Sequence, residues 1–116
     1  MRMWMVDPKI MCRQHLLGEH LETHMFLDHI VRKRSLTGYI EGNLLEPRSL
    51  VDRHEALVKE MLTRGYRHST PMPKTLDLSH MSPWQQNYMI DRSGALTELL
   101  GRCEKCKEQY DVIYRG

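Results

Sequence analysis

Apolar residues recur at helical spacing in three stretches of the chain and no stretch alternates convincingly, so the pattern predicts an all-α protein. The first stretch opens at Asp7-Pro8, a side-chain cap followed by a proline whose missing N–H costs nothing at a helix start. Ile10, Leu17, Leu21 and Met25 form its apolar line, widened by Leu16 and Phe26. That spacing predicts a helix from about Pro8 into the mid-20s, running on towards Arg34 after a break. Arg32, Lys33 and Arg34 close it with cations, which suit a helix C-terminus. Ser35 to Pro47 carries Gly38, Gly42, Asn43 and Pro47 and reads as an ordered loop. Ser49-Leu50-Val51-Asp52 opens a second helix in near capping-box form, with Leu50, Leu57 and Met61 as its apolar line and Arg64-Gly65 as a glycine stop. His68 to Met81, with Pro71 and Pro73, reads as a long connection. Ser82-Pro83 starts a short helix containing Trp84, Tyr88 and Met89. Ser93 caps a third long helix, with Leu96, Leu99, Leu100, Cys103 and Cys106 on or near one side. The expected architecture is a compact single-domain bundle of three main helices joined by long ordered loops.

Length and charge narrow the function classes. A chain of 116 residues makes one domain with a modest core. Its formal charge of +2 announces no nucleic-acid partner, so any such binding rests on a local cluster. No run of about eighteen apolar residues exists to span a membrane. Arg2, Asp7, Lys9 and Arg13 interrupt any secretory core. Three cysteines, an odd count, point to free thiols in a reducing compartment, and the expected location is the cytoplasm.

Several groups carry candidate chemistry. His15, His20, His24 and His29 crowd the first helix, and His20 and His24 have the spacing of a helical zinc pair with Glu22 between them. The metalloprotease pattern needs a glutamate directly after the first histidine, where this chain has Leu21. Cys103-Glu104-Lys105-Cys106 is a single CxxC; Cys12 and His15 could complete a structural zinc site, or the thiols could be small packing groups. Arg2, Arg13, Arg32, Lys33, Arg34, Lys107 and Arg115 could form a phosphate-binding face, and Tyr110 and Tyr114 could stack on exposed bases. Glu22 has a further partner to consider, the chain's own α-amine. With a reference pKa of about 7.7–8.0, an α-amine supplies far more neutral nucleophile at neutral pH than a lysine does.

The segment from Gln14 to Glu22, preceded at the chain start by Met1-Arg2, resembles the N-terminal helix of the pyrimidine dimer DNA glycosylases, the phage endonuclease V-like family. Arg2, Gln14, His15, Glu19 and Glu22 fall on matching residue types, and Met1 falls on the nucleophilic N-terminal residue. Asp52 to Tyr66 resembles the family's second helix, which ends in Arg-Gly-aromatic, and Lys107 to Tyr114 echoes its aromatic tail. The arginine that precedes the family's catalytic glutamate is Leu21 here, and the Cys103/Cys106 pair is not part of the type member's pattern.

The resemblance implies a monomeric DNA repair enzyme, without cofactor, acting on double-stranded DNA that contains lesions or abasic sites. Its glycosylase step would excise cyclobutane pyrimidine dimers through an imine on the Met1 α-amine, and its AP-lyase step would then break the strand. The base opposite the lesion would be flipped out. Glu22 would stabilise the developing sugar cation and assist proton transfer. Arg2, Arg13, Gln14 and His15 would hold substrate, with His20 and His24 partly replacing the missing arginine; Arg32, Lys33, Arg34, Lys107, Tyr110 and Tyr114 would complete the DNA contacts. Two other readings are a non-catalytic helical DNA-binding protein of the same fold and a zinc-dependent hydrolase built on His20, Glu22 and His24.

Overall fold

A computed structural model describes residues 1–115, with no strand among them. Six helices follow one another: α1 (Arg13–Val31), α2 (Thr37–Glu41), α3 (Leu50–Thr63), α4 (Pro83–Asn87), α5 (Arg92–Arg102) and α6 (Glu104–Tyr114). Single 3-10 turns precede α1 at Pro8–Ile10 and α3 at Pro47–Ser49.

Asp7 does cap, but only the first 3-10 turn: its Oδ1 accepts the Lys9 amide at 3.0 Å. The backbone then re-extends through Met11 and Cys12, at ψ 135° and 163°. Helix α1 therefore begins at Arg13 rather than near Pro8, with the Cys12 sulfur accepting the His15 amide at 3.4 Å, and it runs without a break to Val31. Its buried face is Leu16, Glu19, Thr23, Phe26 and Ile30. The apolar line expected through Leu21 and Met25 is wrong by part of a turn, since these residues are 60% and 42% exposed. The reason is that the true inner face carries two polar side chains with internal partners. Thr23 donates to the His20 carbonyl, and Glu19 meets Arg53.

Helix α3 buries Leu50, Leu57 and Met61 as its periodicity requires. It stops where expected: Gly65 takes φ +83°, and the Tyr66 amide reaches back to the Met61 carbonyl at 2.9 Å. Ser49 makes no cap, because its hydroxyl donates to Glu46 instead. Ser82 and Gln85 form a full capping box on α4. The expected third long helix differs from the pattern twice. Asp91, not Ser93, caps α5 by accepting the Gly94 amide at 3.0 Å, and the helix is divided at Cys103, whose φ −121° and ψ 106° are extended.

The chain start is the other organising element. The first six residues form no regular element and Met5 takes a left-handed φ of +55°, yet their apolar side chains divide between two clusters. Met1, Met3 and Met5 join a cluster with Phe26, Ile30, Ile40, Leu45 and Leu50. Trp4 and Val6 join a second, with Ile10, Leu16, Leu57, Met61 and Leu99. The Met3 amide donates to the Leu44 carbonyl at 2.7 Å, which fixes the register.

Arg53 on α3 locks these parts together. Its Nε and Nη2 meet both oxygens of Glu19 at 2.5 and 2.9 Å, and its Nη1 donates to the Val6 carbonyl at 2.6 Å. The two side chains are 5% and 0% exposed. Removing one member of such a pair leaves a buried charge unpaired, so Arg53→Leu is expected to destabilise the fold by about 3–5 kcal/mol in denaturant unfolding. The double change Glu19→Leu/Arg53→Leu should recover a large part of that loss; a single variant as stable as the parent would show that the pair does not hold α3 to α1.

Candidate active site

Four positions on one side of α1, Gln14, His15, Gly18 and Glu22, line a cleft of about 550 Å³ whose opposite wall is Met1, Arg2 and Trp4, with Glu98 and Arg102 from α5 at its mouth. Three- and four-residue steps bring side chains onto one helix face, which is why 15, 18 and 22 share this wall. The Met1 nitrogen lies 3.9 Å from Glu22 Oε1, and the Arg2 amide donates to Glu22 Oε2 at 3.3 Å. One carboxylate thus faces the first two nitrogens of the chain. Met1 is 10% and Glu22 29% exposed, so the pair is sheltered but reachable. The Met1 side chain packs against the core, which answers where its bulk goes. A Cβ at Gly18 would meet nothing within 4 Å, so the missing side chain leaves the space one turn before Glu22 open.

The wall is cationic but internally compensated. The Arg2 guanidinium lies 3.5 Å from the Trp4 ring centroid, a close cation–π contact. Arg2 also pairs with Glu98, which holds Arg102 Nη2 at 3.7 Å on its other oxygen. The Arg2 Nε is buried without a partner. His15 stands edge-on to Trp4, ring centroids 5.8 Å apart.

The remaining residues named from the sequence lie elsewhere. Arg13 is exposed beside the cleft and stacks on Tyr66 at 4.5 Å; its hydrogen bond to the phenol holds the Tyr66 pKa below the ordinary value. Arg32, Lys33 and Arg34 are exposed at the far end of α1, about 15 Å along the axis from Glu22 at 1.5 Å per residue. Arg32 is tied to Asp28 at 2.9 Å. Tyr110 and Tyr114 line a different cleft with Met5, Asp7 and Ile10, the Tyr114 hydroxyl donating to Asp7, while Lys107 faces Asp111 at 3.6 Å.

His20 and His24 do not line the cleft. They meet His54 of α3 and His68, with one ring nitrogen of each within 4.8 Å of the others. Burial first, then the neighbouring imidazoles, pushes the His20 pKa down to about 4 and lowers that of His24. Glu22 is turned from them to the amine, which separates the carboxylate required by the zinc-hydrolase reading from its histidines. Cys12, His15, Cys103 and Cys106 also converge, again within 4.8 Å. Burial pushes the Cys106 thiol up to about 12. Burial acts the same way on Cys103, but hydrogen bonds from Cys106 and Cys12 outweigh it and leave that thiol lowered.

Sequence reasoning missed Trp4, Glu98 and Arg102 in the cleft and His54 and His68 in the histidine cluster. Trp4 lies in an unbroken apolar run apart from Arg2, so its side preference was not visible. His54 and His68 stand fourteen residues apart on α3 and the irregular segment after it, at no ligand-like spacing.

No curated protein and no solved structure matches the chain. A family model, described as pyrimidine dimer DNA glycosylase, matches residues 1–74, the part that contains both walls of the cleft except for α5. With well over half of its length matched, the chain belongs to the pyrimidine dimer DNA glycosylase family.

Proposed function

We propose that the protein excises cyclobutane pyrimidine dimers from ultraviolet-damaged duplex DNA and then cleaves the strand as an AP lyase, with the Met1 α-amine as nucleophile. The observation that supports this most is the 3.9 Å separation of that amine from Glu22 inside an open cleft. A volume of about 550 Å³ falls within the range of small-ligand sites and admits a deoxyribose.

In this reading the unprotonated Met1 nitrogen attacks C1′ of the 5′ sugar as the bond to the base breaks. The base leaves with that electron pair and takes up a proton. Opening of the sugar ring converts the new C1′–N bond into an imine. Removal of a C2′ proton then expels the 3′ phosphate, and water releases the enzyme. Glu22 lies close enough to the amine to stabilise cationic character at C1′ and to carry a proton to or from these atoms. The partial shelter of this carboxylate in the cleft strengthens that effect, since charge is less screened there than in bulk water. Gln14 and His15 supply polar contacts on one wall. Arg2 and Arg102 line the cleft with the amine, and a DNA phosphate would take over from Glu98 as their partner. Arg32, Lys33 and Arg34 lie at a distance suited to phosphates several nucleotides away.

Sodium borohydride added during incubation with abasic or dimer-containing DNA should trap a covalent adduct, and peptide mass spectrometry should place it on Met1. Dimethylating or acetylating the α-amine should abolish it. Glu22→Gln should keep DNA affinity and lose strand cleavage by roughly 10²–10⁴-fold. An adduct on a lysine, or DNA binding with no adduct at all, would sink the amine mechanism and favour a non-catalytic binding protein. A second expectation concerns Glu98. Glu98→Gln should tighten duplex binding and steepen the slope of log K against log salt by about one to two, as Arg2 and Arg102 become free to neutralise phosphates. An unchanged slope would place neither arginine at the DNA.

A further inference from the structure

We propose that His20, His24, His54 and His68 form a closed tetrahedral site for a divalent ion of the zinc class, which clamps α1 to α3 and to the segment that follows α3. The glycosylase reading gives these residues no work inside the cleft, and the proposal does not depend on it. Four elements of geometry converge. The four rings each offer a nitrogen within 4.8 Å of the others, and His24 Nε2 and His54 Nε2 are 3.1 Å apart. Zinc–nitrogen bonds of about 2.0–2.1 Å place tetrahedral ligand atoms about 3.3–3.4 Å apart, so the cluster needs only a small contraction around an ion. His20 Nε2 and His68 Nε2 are buried with no hydrogen-bond partner. Leaving such buried atoms unpaired is costly, and a shared cation satisfies both. Finally, the other nitrogen of the fully buried His54, Nδ1, lies 3.0 Å from Glu55 Oε1, the carboxylate–histidine arrangement that directs an Nε2 lone pair at a metal. Four imidazoles leave no open coordination position, so the ion's role is structural.

A second site stands on independent observations. Helices α1 and α6 begin alike, Cys12-Arg13-Gln14-His15 and Cys103-Glu104-Lys105-Cys106, each with a cysteine at the N-cap and a second metal-ligating residue three positions on. The two beginnings face each other. Cys12 Sγ lies 3.8 Å from Cys103 Sγ and 3.2 Å from His15 Nδ1, and Cys106 Sγ lies 3.7 Å from the same nitrogen. Tetrahedral zinc with bonds of about 2.3 Å to sulfur and about 2.0–2.1 Å to nitrogen requires about 3.8 Å between sulfurs and about 3.5 Å from sulfur to nitrogen. Amides already donate to all three sulfurs: His15 to Cys12 and Cys106 to Cys103, both at 3.4 Å, and Cys12 to Cys106 at 3.2 Å. Such donors stabilise thiolates, the form that binds metal. The ligand set Cys12, His15, Cys103 and Cys106 would tie the start of α1 to the α5–α6 junction.

Metal content separates the two sites without any assay of activity. The protein as purified should hold about two equivalents of zinc, with His68→Gln and Cys103→Ser each losing about one. His68 lies outside any helix, so its replacement leaves the helices intact. Co²⁺ added to metal-free protein should give visible d–d absorption from both sites, with thiolate charge transfer from the cysteine site alone. His68→Gln should keep the charge-transfer band and bind its remaining nitrogen-site ion more than about tenfold more weakly, because even outer-shell partners are worth that much. Unaltered Co²⁺ binding in His68→Gln and in a second variant, His20→Gln, would overturn the histidine site. Absence of charge transfer in the parent protein would overturn the cysteine site. A thermal midpoint that Zn²⁺ does not raise in the metal-free parent would overturn both clamps.

Discussion

One nearly water-free guanidinium holds the architecture in place. Arg53 reaches from α3 to both oxygens of Glu19 on α1 and to the carbonyl of Val6 in the extended chain start. Without that three-way contact, the buried carboxylate of Glu19 would have no counter-charge and the Val6 carbonyl no donor. Both charges sit in the low-dielectric interior, where geometry has to be good for the pair to persist. The constraint is directional as well as attractive, since a planar fork accepts only one orientation of α1 against α3.

That orientation decides where the first nitrogen of the chain can go. Once Val6 is fixed and Met3 is bonded to Leu44, the residues before them bring the terminal nitrogen to within 3.9 Å of Glu22. The alternation of Met3 and Trp4 into different apolar clusters prevents a slip of one residue, which would reverse every side chain. Placing the amine at a carboxylate thus follows from packing several residues away. The cleft walls are thus one face of a helix and a chain start held in place by its own hydrogen bonds and apolar packing. Glu98 adds a charge that pairs with both Arg2 and Arg102.

Helix α1 contributes to the cleft and to both ligand-like clusters. One side gives Gln14, His15, Gly18 and Glu22 to the cleft, another gives His20 and His24 to the histidine cluster, and its first turn gives Cys12 and His15 to the thiols. A helix so divided has little room for a continuous apolar stripe. This is why the periodicity through Leu21 and Met25 does not mark the buried face, whereas the simpler α3 shows its buried Leu50, Leu57 and Met61 directly. The same conflict appears at Cys103, where the expected long helix is interrupted so that two thiols can point back at Cys12.

The sequence by itself determined the all-α class, the stop at Gly65 and the helix start at Ser82, because each depends on residues close together along the chain, while the resemblance to a known family pointed to the candidate pairing of Glu22 with the α-amine. The zinc-like set Cys12, His15, Cys103 and Cys106 could be written down as an option for the same reason, since both halves are local patterns. Only the tertiary structure decided that those halves face each other, that His54 and His68 join His20 and His24, and that α5 supplies Glu98 and Arg102 to the cleft. These depend on how α1 is turned against α3 and α5. That rotation is set by a buried ion pair and by the side preference of an extended apolar run, neither of which leaves a periodic mark in the sequence.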